Sequence, residues 1–371
     1  MSQEDTIAMK PGELVRELMK ERGWLQTELA FVLGVSSGTV SDIVNSKIAI
    51  SAEMAKALGA AFGRPAIDFA NLQMNWSLDS APEPPSEIAA RASAQSKYPF
   101  RAMAKRGWIK GPDDEADINS QLCRFFGVND LHSVKQIGFA ARKAAEGELS
   151  GEQLVWLYRV RQIASEMMTP AFDPIKFDEV LDSLAQLRGD PKNVRHVPRL
   201  LESAGVRFVV VEALPGSKID GVCTWLDSRS PVIGLSLRFD RIDNFWFVLR
   251  HECAHVKHGH GRDAAIVDFD MDGDLDAPLS DEEQIADAEA ADFCVSDEKL
   301  TSFYLRKRPF FAEREVKAFA TRMGVHPGLV VGQLQKRMGR YDFLRKHLVK
   351  VRDHLSSAMM VDGWGDMIPV D

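Results

Sequence analysis

The segment His251-Glu252-Cys253-Ala254-His255 constrains this chain more than any other feature. On a helix, histidines four apart lie one above the other on one face and can share one cation, whereas on a strand the same pair would stand about 13 Å apart. Three β-type runs precede them: Val206–Val211, Gly221–Leu226 and Pro231–Leu237. Each is rich in β-branched or aromatic residues, and short turn-rich joints separate them, so an antiparallel meander is predicted. A helix over Ile242–His258 follows, then an acidic stretch from Asp268 to Glu283 and further helices. The expected class is α+β for the C-terminal half, residues 191–371.

Two imidazoles suit zinc, which takes N, S and O donors in tetrahedral geometry and keeps one position for water when it is catalytic. Glu252, beside the histidines, is placed to act as general base on that water. A metzincin-type third histidine is excluded, since that pattern wants a glycine seven residues after the first histidine and a third histidine three further on, where the chain has His258 and Gly261. His258 is expected in a supporting or capping role. A carboxylate on a later helix is the better third ligand. Glu289, four residues before Phe293 and among small residues, is the choice, with Asp287 and Asp292 pointing elsewhere. The run Asp268–Leu275 mimics the start of a calcium loop, but its twelfth position is Leu279, so it reads as a solvated acidic loop. His326 and Tyr304 are candidates for transition-state donors by residue type alone.

The N-terminal segment, 1–78, is all helical by pattern. Gln26–Leu33, Gly34 as a tight turn, and Ser36 capping a second helix through Asn45 have the spacing of a helix-turn-helix. The second helix of such a unit enters the major groove, which nominates Ser36, Ser37 and Ser41 as DNA contacts, with Lys47 the nearest cation. Residues 1–80 hold seven Lys/Arg against ten Asp/Glu, so phosphate attraction is weak there. The proline-rich Ala81–Ser86 stretch marks a linker, and 79–190 reads as a helical connector, with helices near 88–104, 117–126, 131–145 and 151–168. The four scattered cysteines form no framework, no run of about 18 apolar residues spans a membrane, and the first residues lack a signal-peptide pattern. A cytoplasmic location is therefore expected.

Two resemblances meet in this chain. Residues 10–75 resemble the Xre-type helix-turn-helix of HigA-family antitoxins, through Pro11-Gly12-Glu13, the Gln26–Asn45 core, Ile50–Ala55 and Asn71–Trp76. Residues from about 195 onward resemble ImmA/IrrE metallopeptidases, through Val197–Val206, Phe208–Val211, Phe245-Trp246-Phe247, the HExxH helix and Glu289–Phe293. The second resemblance implies a zincin-like fold with zinc on His251, His255 and Glu289 and with Glu252 as base. Ala291 stands where the family usually carries Asn or Asp, which removes a supporting hydrogen bond. Together the resemblances imply a zinc endopeptidase that controls a repressor or antitoxin-like protein substrate, in a chain that also meets operator DNA or a cognate toxin and forms a homodimer. The alternative is a DNA-binding antitoxin or autorepressor whose zincin-like domain only senses or binds a partner.

Overall fold

The computed structural model describes residues 9–110, 118–134, 139–141, 149–262, 264–269, 279–355 and 360–370. Contacts divide the chain into two compact units, Met1–Ile88 and Ala89–Asp371.

The first unit contains α1 (Pro11–Arg22), α2 (Gln26–Leu33), α3 (Ser37–Val44), α4 (Ala52–Phe62) and α5 (Ala66–Ser80). Local chemistry sets their limits. Pro11 opens α1, which closes at Gly23. Ser36 Oγ accepts from Thr39 N at 3.1 Å and starts α3; Ser51 Oγ does the same for α4 through Met54 N at 3.2 Å. The turn between α2 and α3 needs a left-handed residue, which Gly34 supplies at φ 69°. Val15, Leu18, Leu29, Val40, Ile43, Leu58 and Phe69 close the core.

Beyond the linker come α6 (Ser86–Lys97), α7 (Phe100–Lys105), α8 (Ile118–Phe126), β1 (Phe139–Ala141), α9 (Gly151–Glu166), α10 (Pro174–Ala185), α11 (Val197–Ser203), β2 (Arg207–Val211), β3 (Ile219–Trp225) and β4 (Pro231–Leu235). Then follow α12 (Ile242–His258), β5 (Ala265–Phe269), α13 (Asp281–Cys294), α14 (Asp297–Lys307), α15 (Glu313–Met323), α16 (Pro327–Met338) and β6 (Met360–Asp362). Of the helix expected over 131–145, the described residues form a short 3-10 turn at Leu131–Ser133 and the strand β1 at 139–141; 135–138 and 142–145 lie outside the described residues.

The described strands form one mixed sheet in the order β1-β5-β3-β4-β2-β6, not an antiparallel meander. β3 and β4 are the expected hairpin, but β2 pairs parallel with β4 and with β6. The reason is burial on both faces. Phe208 and Val210 of β2 face one core with α12, while Val209 and Val211 face the other with α9. Strands covered by helices on both sides are hydrophobic at every position and readily take parallel partners. Residues 151–166, read from sequence as part of a connector, thus lie under the sheet, with Trp156 Nε1 donating to Val211 O at 2.8 Å. Arg159 of α9 and Asp362 of β6 form a buried ion pair at 2.6 Å.

Candidate metal centre and helix-turn-helix

α12 is buried almost all round from Ile242 to Val256, so its histidines are not surface residues of an amphipathic helix. It ends at Gly259, φ 74°, one residue past His258. α12 packs along α13, where Ala286 and Ala290 are buried and let the two helices approach.

That packing, with β5 paired beside β3, brings His251, His255, Asp268 and Glu283 together, with one donor atom from each lying within 4.8 Å of the others. His251 Nε2 is 3.0 Å from His255 Nε2, 3.2 Å from Glu283 Oε2 and 3.2 Å from Asp268 Oδ2; His255 Nε2 is 3.3 Å from Glu283 Oε1. Donors around a tetrahedral zinc with bonds of about 2.0–2.1 Å lie roughly 3.3 Å apart, so the set fits such an ion. His251, Glu252, His255 and Asp268 have 0% exposure and Glu283 has 2%. Both Glu252 oxygens are buried, and the side chain they meet is the carboxyl of Asp268. Three buried carboxylates beside two imidazoles need protons or a cation to offset their charge.

The titration directions carry the same strain. Burial works against a charged His251, but the charge and hydrogen bond of Asp268, with Asp287 and Glu283, outweigh it and raise the imidazole well above its ordinary range. Burial, then the neighbouring Asp268 charge, raises Glu252 well above the usual carboxylate range. Burial also opposes the Glu283 charge, yet hydrogen bonds from His251 and His255 hold its carboxyl below that range. Cys253, between the histidines, is pushed up by burial to about 12, so it supplies no thiolate ligand near neutral pH.

His251, His255 and Glu252 thus stand where the sequence placed them, but Glu289 does not. Its Oε2 accepts from Arg250 Nη2 at 2.6 Å, and its Oε1 lies 2.7 Å from His258 Nε2. The cause is helical phase. The buried stripe of α13 runs Glu283, Ala286, Ala290, Cys294, and a residue six after Glu283 falls on another face. Asp287, four after Glu283, does share that face and lies 3.0 Å from His251 Nδ1, where it can hold the ring. Asp292 caps the next helix by accepting from Asp297 N at 2.9 Å. Glu283 is not among the ligands expected from sequence; the small-residue stripe Ala286, Ala290, Cys294 is the signal that could have pointed to it. Asp268, expected in a solvated loop, is instead buried at the end of β5; residues 270–278 of that acidic stretch lie outside the described residues. His260, unremarked in the sequence, lies 3.0 Å from His255 Nδ1 through its own Nδ1. His326 caps α16 through Gly328 N at 3.1 Å and Tyr304 stacks on Phe311, so both have structural roles.

One glycine makes room for the centre. A Cβ on Gly221 of β3 would sit 2.1 Å from Glu252 Oε1 and 2.8 Å from Val248 Cγ1. Only a bare backbone lets this strand pass so close to the carboxylate.

In the first unit, α2 and α3 meet at 112°, within the range of a helix-turn-helix. Ser36 and Ser37 are exposed and Ser41 is half-buried; Lys47 is exposed and 4.0 Å from Asp42. Residues 15–69 match the family model described as Helix-turn-helix. The N-terminal unit is a helix-turn-helix domain. It is similar to the Pseudomonas aeruginosa protein PA4674, solved with its operator DNA, at 42% identity over 19% of this chain and 76% of that one, with a TM-score of 0.19. It is also similar to the P. aeruginosa antitoxin HigA, solved with the higBA promoter, at 37% identity over 23% and 88%, TM-score 0.19. A HigA-family addiction module antidote protein from Coxiella burnetii shares 28% identity over 19% and 78%, TM-score 0.18. No curated protein matches the chain.

Proposed function

We propose that this chain is a DNA-binding regulator of the antitoxin or repressor kind whose second unit carries a buried divalent-metal centre. The helix-turn-helix domain carries the first half of this reading. Ser36 caps and Ser37 begins α3, with Ser41 one turn further along, and this end of such a helix meets base edges. DNA binding is tested by electrophoretic mobility shift with the promoter region upstream of the chain's own gene. The expected result is loss of the shifted band in Ser37→Glu and Ser41→Glu variants; unchanged binding by both would remove α3 from the interface.

In the second unit, His251, His255 and Glu283 would hold zinc, with Asp268 in reach and Asp287 and His260 orienting the imidazoles. The ImmA/IrrE resemblance favours a peptidase reading of this site, with a protein regulator as substrate. One observation supports it: Glu252, next to a ligand, is fully buried against the carboxyl of Asp268. A purely structural site has no use for such a carboxylate. Bound zinc would supply Lewis acidity and lower the pKa of a water. Glu252 would take that water's proton and pass it to the leaving amine, and its neighbours Gly221 and Val248 keep bulk water from the carboxylate. Metal analysis of purified protein should find about one zinc per chain. Glu252→Gln should keep that zinc and, once the site is activated, abolish cleavage of co-expressed regulators encoded nearby; cleavage that survives the substitution in the activated protein removes Glu252 from the chemistry.

A further inference from the structure

A hydrolytic zinc keeps one position open, whereas four protein donors close the shell. Here four donors converge, and the fourth comes from β5. We propose that Asp268 is a masking ligand: its carboxylate occupies the position that water would take and holds the site latent. This rests on the metal-centre reading above and names how that site is regulated.

The fold aims Asp268 at the site. On the face of β3 turned towards α12, Cys223 pairs with Ile266, and two residues along Gly221 pairs with Asp268. The register shifts between Ile219 and Gly221, an irregularity of the kind that re-aims side chains beside active sites. Asp268 Oδ2 consequently lies 3.2 Å from His251 Nε2, opposite the glycine that accommodates Glu252. Complete burial of His251, Glu252, His255 and Asp268 leaves no surface on which a peptide could reach the donors. Yet Glu252 stays beside them, facing the same Asp268 carboxyl, so that withdrawal of Asp268 would free both the position and the base. Activation then requires the end of β5 to withdraw, exchanging a carboxylate oxygen for water without any covalent change.

The test uses full-length protein loaded with Co2+, whose visible absorption reports coordination. Wild type should give the spectrum of a four-coordinate site that azide and acetohydroxamate leave unchanged. Asp268→Ala should still bind one Co2+, at least about 10-fold more weakly, and its spectrum should shift on adding either small ligand. Asp268→Asn, which keeps the side-chain shape, serves if the alanine variant does not fold, and should gain the same response. If wild type binds cobalt and both variants match it in affinity and in indifference to azide, Asp268 is not a ligand and the masking idea fails while the metal centre stands. If wild type binds no metal, the metal-centre reading fails with it.

Discussion

The geometry separates two glutamates six residues apart, and substituting each in turn tests the separation. Glu283→Gln removes a charge that faces both histidines at 3.2 and 3.3 Å. Loss of a ligating carboxylate should weaken zinc by about 100-fold or more, roughly 2.7 kcal/mol. At a free zinc concentration of 100 times the wild-type Kd, wild type gains about 2.7 kcal/mol from binding and the variant about 0.4 kcal/mol. With about 2–4 °C of melting temperature per kcal/mol for a large domain, the zinc-induced shift should fall from roughly 5–11 °C to about 1 °C. Glu289→Gln breaks contacts to Arg250 and His258 at a side chain that is 27% exposed. It should cost about 1 kcal/mol of stability and leave zinc affinity unchanged. Competition against a chromophoric chelator gives the affinities, and scanning fluorimetry with and without zinc gives the shifts. If Glu289→Gln loses zinc while Glu283→Gln retains it, the helical-phase argument is wrong.

Other outcomes follow from the same geometry. Burial raises Glu289's pKa, but hydrogen bonds from His258 and Arg250 outweigh it and the net direction is down. Its contribution is therefore complete above the unfolded carboxyl pKa of about 4.3 and is lost as pH falls through the lower folded value; the melting temperatures of wild type and Glu289→Gln should converge on acidification, and a constant gap would contradict this. Gly221→Ala drives a methyl into Glu252 and Val248, so destabilisation of about 1–3 kcal/mol is expected in urea unfolding; a neutral variant would mean that the strand and helix are further apart. Asp362→Asn leaves Arg159 without its buried charge partner and weakens the link from α9 to β6, which should cost about 3–5 kcal/mol, read as a drop in melting temperature. Ser36→Ala removes the α3 cap and should cost about 1 kcal/mol in the first unit, measurable on residues 1–88 if that segment folds alone.

Short-range patterns carried much of this protein into its sequence. Capping serines, the turn glycine at 34 and the apolar period fixed the limits of α2 and α3, because those signals act within one or two helical turns. The i, i+4 histidines and the buried run Phe245–Leu249 fixed α12 for the same reason. The rest was decided by tertiary packing. Which of two nearby glutamates meets the histidines depends on the rotation of α13 about its axis. That rotation is set by Ala286, Ala290 and Cys294 packing inward, a stripe visible in the sequence but not tied there to Glu283. The sheet order depends on helices covering both faces, which an alternation-free strand does not announce. Asp268 lay furthest from local inference. Its neighbours are acidic and turn-forming, so composition places it in solvent, whereas pairing of β5 with β3 carries it into the core beside two imidazoles from another element. Sequence named the histidines and the base; only the packed structure chose which carboxylates join them.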